Sequence, residues 1–336
     1  MAGFSIIIVT WNALKHLQNF LFSVHETKYP DFEIIIADNA STDGSAEWVR
    51  SEFPDIKIVS FDKNYGYCGG NNKAVPYAEK EILLFLNNDV QVPENWLNAI
   101  NDVFEKDTTI AAIQPKIKSY KHQDYFEYAG AAGGFIDRFG YPFCRGRILD
   151  TVEKDTGQYD SEIDIAWASG AALAVRKSDF LKLGGFDEDF EFHMEEIDLC
   201  WRLWNSGKKV VFTPLSEVFH LGGGSLAMGS PRKVYYNFRN NLFMLQKNLP
   251  GKQLLLKLPV RVLLDIVAAF RALLAGKPDE FKAIAKAHYH YWGSWSRTNK
   301  KRIPKTDGVT GLTLPRVGMI WNYYVLQKKT YKEIIR

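Results

Sequence analysis

The sequence predicts an α/β fold, with a mostly parallel central sheet flanked by helices and a helical C-terminal extension. Three observations carry that expectation. Apolar runs that are continuous rather than alternating recur through the first 117 residues, separated by stretches with helical spacing. Polar, glycine-rich motifs fall where those runs stop. From Val234 to about Tyr291 the pattern is helical alone. A continuous apolar strand is covered on both faces, which is the situation inside a parallel sheet between helix layers.

The elements follow in order. Phe4–Val9 (FSIIIV) is the first apolar run, and Leu14, Leu17, Leu21 and Val24 succeed it at helical spacing. Phe32–Ala37 (FEIIIA) is the second. The DNASTDGS behind it supplies Ser41 or Thr42 as N-cap for a helix over Ala46–Arg50. Ile56–Phe61, Glu81–Leu86 and Ile110–Ile117 read as three more strands. Tyr120–Gln158 is irregular, rich in glycine and aromatic residues, and is expected to loop over a site. Trp167–Ser178 returns to a strand, Met194–Ser206 to a helix, and Lys208–Pro214 to a short strand.

Length and composition bound the function. A chain of 336 residues, 46% apolar and 24% charged, suits a soluble protein with one large domain and an appendage. Cys68, Cys144 and Cys200 are widely spaced with no CxxC, which disfavours disulfides and zinc and fits a reducing, cytoplasmic compartment. The apolar stretch after Met1 is about six residues long with no basic lead-in, so it reads as a buried strand, not a secretory leader. The net charge of +3 hides an asymmetry: 17 Lys+Arg face 5 Asp+Glu from Pro250 onward, against 25 and 34 before it. A basic tail behind an acidic front suggests an anionic partner for the tail.

In open α/β sheets ligands bind beyond the carboxyl ends of the strands. The polar motifs stand there: TWN after the first strand, ADNASTDGS after the second, NNDV after the fourth. Neither GxGxxG nor GxxxxGK[ST] follows the first strand, so a phosphate-bearing ligand must be held by another device. Asp38 is placed either to accept hydrogen bonds from a base or ribose, or to cap a turn. Asn64–Ala74 (NYGYCGGNNKA) has glycines that let backbone approach a ligand at a helix start. Asn87 and Asp89, two apart at a strand end, project to one side and offer the oxygens that Mg²⁺ or Mn²⁺ prefers.

The segment from Phe186 to Arg202 packs eight acids or histidines into 17 residues. Acids favour a helix's first turn, and Asp198 with Arg202 has the spacing of a helix ion pair. Crowded carboxylates also raise one another's pKa and can poise a base. His220, after a strand and before a glycine run, is either structural or a metal ligand. Trp167 is either core or a stacking surface for a sugar ring.

SIIIVTWN, ADNASTDGS, NYGYCGGNN, FLNNDV and GGFDEDFEFHMEEIDLCWR, in that order over about residues 4–248, resemble the family-2 glycosyltransferases, and within them the bacterial rhamnosyltransferase type. The resemblance implies the GT-A fold, a nucleotide-diphosphate sugar donor (a UDP- or dTDP-sugar, dTDP-rhamnose among them) and direct displacement with inversion. It implies nucleotide or donor contacts from Thr10, Asn12, Asp38, Asn87 and Asn88, and a donor-pocket loop over Gly66–Asn71, with Gly66, Gly69, Gly70 and Asn71. Asp89 is the metal-binding end of a DxD-type motif whose first acid is Asn87 here, and His220 joins the Mg²⁺ or Mn²⁺ site. Glu196 matches the base of the family's Glu-Asp motif, one methylene longer than the family's Asp, with Glu195 beside it. Trp167, Ser169 and Gly170 match a segment on the acceptor side.

On this reading residues 1–230 form the catalytic domain, with a donor half over about 1–117 and an acceptor half over about 118–230. Residues 231–336 form a basic helical extension. Within it Gln253, Lys257, Arg261, Asp265 and Arg271 share one arc of a helix that is otherwise apolar. That helix is expected either to pack on protein or to lie on an anionic membrane that carries a lipid-linked glycan acceptor. The basic and aromatic residues match no nucleic-acid-reading motif. A non-catalytic sugar-nucleotide or glycan-binding scaffold is the alternative that the altered Asn87 and Glu196 positions leave open. A nucleotidyltransferase would need a basic glycine loop after the first strand, where only Lys15 stands.

Overall fold

The computed structural model describes residues 1–222, 229–303 and 311–335. Six strands come first: β1 (Phe4–Thr10), β2 (Phe32–Asp38), β3 (Lys57–Ser60), β4 (Ile82–Leu86), β5 (Val90–Gln91) and β6 (Ile110–Ser119). Then follow β7 (Gly134–Ile136), β8 (Pro142–Cys144), β9 (Arg147–Ile148), β10 (Thr151–Val152), β11 (Ile163–Asp164), β12 (Ala172–Arg176) and β13 (Lys209–His220). The helices of the first two-thirds are α1 (Leu14–His25), α2 (Ser45–Glu52), α3 (Gly66–Ala74), α4 (Trp96–Lys106), α5 (Lys177–Lys182) and α6 (Glu195–Asn205). The C-terminal third holds α7 (Pro231–Asn248), α8 (Gly251–Leu274), α9 (Pro278–Gly293), α10 (Trp295–Lys300), α11 (Met319–Tyr324) and α12 (Tyr331–Ile335).

The main sheet runs β11-β13-β6-β12-β4-β1-β2-β3, with β5 paired to β13. β1 to β4 are parallel neighbours, and β6 with β13 is a second parallel pair. β12 lies antiparallel between β4 and β6. Alternate residues of the apolar runs fall into two separate core clusters: Ile7, Ile35, Leu83 and Phe85 in one, Ile6, Ile34, Ile36 and Leu84 in the other. Each face of the sheet is therefore covered, as continuous apolar strands require.

Three expectations are corrected. Tyr120–Gln158 is not all loop: it forms a second, antiparallel sheet, β10-β9-β8-β7, whose strands of two or three residues are too short to carry a period. Phe143 and Ile148 of that sheet pack under Met319, Tyr323 and Ile334 from the C-terminal helices. The strand expected to stop at Pro214 runs on to His220 through an irregularity between Thr213 and Glu217. Proline, lacking an N–H, interrupts the ladder there without ending it. The strand expected from Trp167 begins only at Ala172, leaving Trp167–Gly170 as a loop.

On α8, of the polar arc whose orientation the sequence left open, Arg261 and Asp265 are buried. Arg261 Nε donates to Asp265 Oδ1 at 2.8 Å, and His288 of α9 lies 3.1 Å from Asp265 Oδ2. The apolar side of α8 faces outward.

Candidate active site

Register builds the donor end. β1 and β2 end side by side with Thr10 opposite Asp38. Thr10 is buried and its Oγ1 has no hydrogen-bond partner among the described residues. Asp38 is buried, and its Oδ1 accepts the Ser41 N–H at 3.1 Å. Asn12 adopts φ +50, a region asparagine tolerates better than most residues. Its N–H donates to Ser41 Oγ at 2.9 Å and its Oδ1 accepts from Thr42 N–H at 2.8 Å. Ser41 and Thr42 thus clasp the β1 loop instead of capping α2, whose N-cap is Gly44 at φ +84.

The glycine segment is α3 itself, not a loop. A Cβ on Gly70 would stand 2.7 Å from Asn39 Nδ2 and 2.9 Å from Val9 Cγ1, so Gly70 is needed for α3 to reach the strands beneath it. Gly66, at φ +70, starts the helix, and its carbonyl accepts from Asn39 Nδ2 at 3.1 Å. Gly69 and Asn71 are buried; Asn71 Nδ2 donates to the Tyr67 carbonyl at 3.0 Å.

Beyond β4 the chain turns so that β5 pairs with β13, with Val90 opposite His220. That pairing brings Asp89 and His220, 131 positions apart, to 3.1 Å between Oδ1 and Nε2. Asn87 Nδ2 lies 3.3 Å from the same Nε2, and Asn88 Nδ2 donates to the Val9 carbonyl at 3.3 Å. On its far side His220 Nδ1 is 3.3 Å from Glu127 Oε2, close enough for ion contact but not aligned as a hydrogen bond. Burial pulls the imidazole pKa down, but Glu127 and Asp89 outweigh it and raise it to about 10. Burial likewise pushes Asp89 up, and the His220 hydrogen bond and charge carry it below the ordinary carboxylate value. Among the described residues no group of three or more His, Cys, Asp or Glu side chains converges as a metal site. The glycine run after His220 lies outside the described residues beyond Gly222.

The second cluster is at the start of α6. Glu191, His193 and Met194 all have positive φ, between 60° and 73°. α7 holds this bent segment. Asn240 Nδ2 lies within 2.9 Å of the carbonyls of Phe190, Phe192 and His193, and Arg239 donates to Glu191 Oε1 at 3.0 Å. The turn delivers Glu195 and Glu196, each with an Oε2 that is buried and unpartnered among the described residues. Burial, then the neighbouring Glu196, raises the Glu195 pKa well above the usual range. Burial raises Glu196 to about 7 against the backbone N–H groups of the helix start. His193 is pulled down to about 4 by burial and Lys233, so it is neutral at pH 7.

The surroundings of the two clusters are linked through shared electrostatic neighbours. Burial raises the Cys144 thiol pKa, Arg147 opposes it, and Glu127 and Glu196 both add to the rise. Burial lowers the Lys233 ammonium while Glu127 opposes it, and Lys233 acts in turn on His193. Tyr67 of α3 donates to the Gly170 carbonyl at 2.9 Å and feels both Glu195 and Glu196. Asp89 thus meets the His220 imidazole and not the apolar core, and Glu127, beyond that ring, acts on Cys144 together with Glu196.

The acceptor-side expectation needs one correction. Trp167 is only 3% exposed, its Nε1 donates to the Phe135 carbonyl at 2.9 Å, and a Cβ on Gly134 would overlap its ring at 2.1 Å. No face is open for a sugar to stack on. Ser169 is buried; its N–H donates to Gln114 Oε1 at 2.8 Å and its Oγ to the Ala129 carbonyl. Gly170 lies against Tyr67, with no room for a Cβ nearer than 2.9 Å from the hydroxyl. Glu127, Lys233, Tyr67, Arg239 and Asn240 were not singled out from sequence. The one signal was the polar run Arg239-Asn240-Asn241 between Phe238 and the apolar Leu242–Leu245.

Comparison with known proteins fits this geometry. The family model described as Glycosyl transferase family 2 matches residues 5–154. An N-acetylglucosaminyl-diphospho-decaprenol L-rhamnosyltransferase of Mycobacterium tuberculosis is 28% identical over 234 residues, 64% of this chain and 75% of that protein. Rhamnosyltransferase WbbL of Escherichia coli K12 is 28% identical over 226 residues, covering 64% and 82%. Among solved structures, the mannosyltransferase PcManGT of Pyrobaculum calidifontis, in complex with GDP-Man and Mn²⁺, superposes with TM-score 0.53 at 17% identity over 89% of this chain and 84% of that one. The last likeness shows the fold, of GT-A type. The family match and the rhamnosyltransferase relatives mark residues 5–154 as a glycosyltransferase domain of family 2.

Proposed function

We propose that the chain is a metal-dependent, inverting glycosyltransferase. It moves a hexosyl or deoxyhexosyl unit from a UDP- or dTDP-sugar to a hydroxyl of a glycan or lipid-linked glycan in bacterial cell-surface polysaccharide synthesis. The observation that carries this reading is the buried Asp89–His220 pair, together with two raised-pKa glutamates at the start of α6 that are unpartnered among the described residues. Residues 1–230 supply the chemistry in this scheme, about 1–117 for the donor and 118–230 for the acceptor. Residues 231–336 brace it through α7.

In this scheme Thr10 and Asp38, opposite each other at adjoining strand ends, and Asn12 beyond β1 receive the nucleoside; in support, Thr10 Oγ1 is buried without a partner among the described residues. Asn87, Asp89 and His220 fit a divalent cation. Magnesium and manganese are commonly held by one or two protein ligands, with phosphate oxygens and water completing the shell. Asp89 and His220, 3.1 Å apart between Oδ1 and Nε2, would hold the cation with Asn87, and its charge would oppose the rise in the His220 pKa. When bound, such a cation neutralises the diphosphate leaving group. Glu196 then accepts the proton of the incoming hydroxyl, and its pKa near 7 suits that task at neutral pH. The name of the M. tuberculosis relative favours a lipid-diphosphate-linked acceptor and a rhamnosyl donor.

The test is turnover of a nucleotide-sugar panel with Mn²⁺ or Mg²⁺, paired with nucleotide binding to Asp89→Ala. Binding of UDP or dTDP should weaken by more than about tenfold in that variant, since the loss of a buried charged ligand costs at least about 1.4 kcal/mol. Unchanged affinity would remove Asp89 from the donor site.

A further inference from the structure

α8 is inside out. Residues that face the protein along it are Leu254, Leu258, Arg261, Asp265, Ala269 and Ala272, with the ionic pair at the centre of the buried side. Leu256, Val260, Leu263, Val267, Phe270 and Leu274, spaced four and three apart, form the outward stripe and are 39% to 89% exposed. A helix that only packed on its own domain would turn polar residues outward, not a second apolar face. The buried side is fully engaged. Arg261 bonds Asp265 and Asn241, its guanidinium lies 3.9 Å from the Tyr141 ring centroid, and Asp265 meets His288. The helix is pinned with its apolar stripe outward and has no means of rolling it in.

We propose that the outward face of α8 is a membrane-docking surface that seats the chain on an anionic bilayer. No described helix is long and apolar enough to cross a membrane, so the face lies in the interface and does not span it. Two features select a lipid surface as occupant. Large aromatics lie by one end of the stripe: Trp321 and Tyr324 on α11 are exposed, and Arg271, 4.6 Å from the Tyr324 ring centroid, ties α11 to α8. Tryptophan and tyrosine favour the headgroup level of a bilayer. The charge is also complementary. Residues from Pro250 onward carry 17 Lys+Arg and 5 Asp+Glu, and Lys252 and Arg271 stand exposed near the two ends of the stripe. Basic residues beside an apolar face are drawn to anionic headgroups, whereas a second copy would bring two regions of like charge together. The inference deepens the proposed function by placing the enzyme where a lipid-linked acceptor resides, and it rests on that function only for what the membrane presents.

The experiment is co-sedimentation of the full chain with vesicles of phosphatidylcholine alone, or mixed in equal parts with phosphatidylglycerol. Wild-type and Leu263→Glu/Phe270→Glu chains are compared, with Leu263→Gln/Phe270→Gln as an uncharged partner. Both positions are exposed, so circular dichroism and nucleotide binding should match wild type. Wild type should sediment with the anionic vesicles, and both double variants should bind them at least about tenfold more weakly. Wild type left in the supernatant, or variants that sediment equally, would overturn the proposal. So would a lipid-free wild-type dimer that the variants convert to monomer, since the face would then belong to a second copy. Nucleotide binding separates these outcomes from failure of the glycosyltransferase chemistry.

Discussion

Residues 187–198 hold two kinds of buried carboxylate within one short stretch. Asp187 and Asp198 are saturated with partners. Lys247 reaches both, at 2.7 and 2.8 Å, while Arg202 and Asn248 complete Asp198 at 2.8 Å each and Lys301 adds to Asp187 at 2.6 Å. Burial pushes Asp187 up, but Lys247 and then Lys301 bring it down to about 2, and Asp198 is lowered in the same way. Among the described residues Glu195 and Glu196 meet no cation, and burial drives both the other way. Equal chemistry and similar burial thus give opposite titration. What separates them is where α7 and α10 place their cations: Lys247 reaches under the 3-10 turn of residues 188–190, and nothing equivalent reaches the start of α6. The first pair anchors the segment; the second is left free to exchange a proton.

Substitutions of one type at the two kinds of site should therefore differ in sign. Asp198→Asn leaves Lys247 and Arg202 buried with less counter-charge, and urea denaturation should show a loss of about 3–5 kcal/mol. A loss below about 1 kcal/mol would mean that the cations find other partners. Glu195→Gln should act oppositely and with pH. A carboxyl raised in the folded chain keeps its proton where the unfolded chain has lost it, so its contribution is complete below the ordinary glutamate value of 4.5 and declines as pH rises toward the folded value. Wild-type stability should fall between pH 5 and 7 by up to about 1.4 kcal/mol per pH unit from this group, and the variant should flatten that slope. An unchanged slope would show that Glu195 titrates normally. Lys301→Ala tests the exposed end of the anchoring set. Lys301 is 38% exposed and Lys247 remains, so the cost should be only about 0.2–1 kcal/mol.

The sheet was legible because β1, β2 and β4 are apolar on both faces, a pattern no amphipathic helix imitates. The motifs at their ends followed from strand direction alone. Asp89 and His220 were legible as candidates, but their contact depends on β13 continuing past Pro214 to pair with β5, and proline reads locally as a stop. Glu127 lay in a stretch whose short strands have no period. Asn240 and Arg239 sit on α7 and work through backbone carbonyls of a segment about 50 residues earlier, which leaves no pattern in a single sequence. The outward stripe of α8 was visible as an amphipathic arc. Which side faced in was not, because Arg261 and Asp265 neutralise each other only once His288 and Asn241 are brought beside them.

The central claim is that Glu196 handles the acceptor's proton while Asp89 serves the donor. Glu196→Gln, assayed for both nucleotide-sugar affinity and transfer, separates the two ends. Donor affinity should stay within about twofold of wild type while transfer falls about 10²–10⁴-fold, with loss of the wild-type rise in rate as pH passes through about 7. Transfer that persists in the variant with the wild-type pH profile would contradict the assignment.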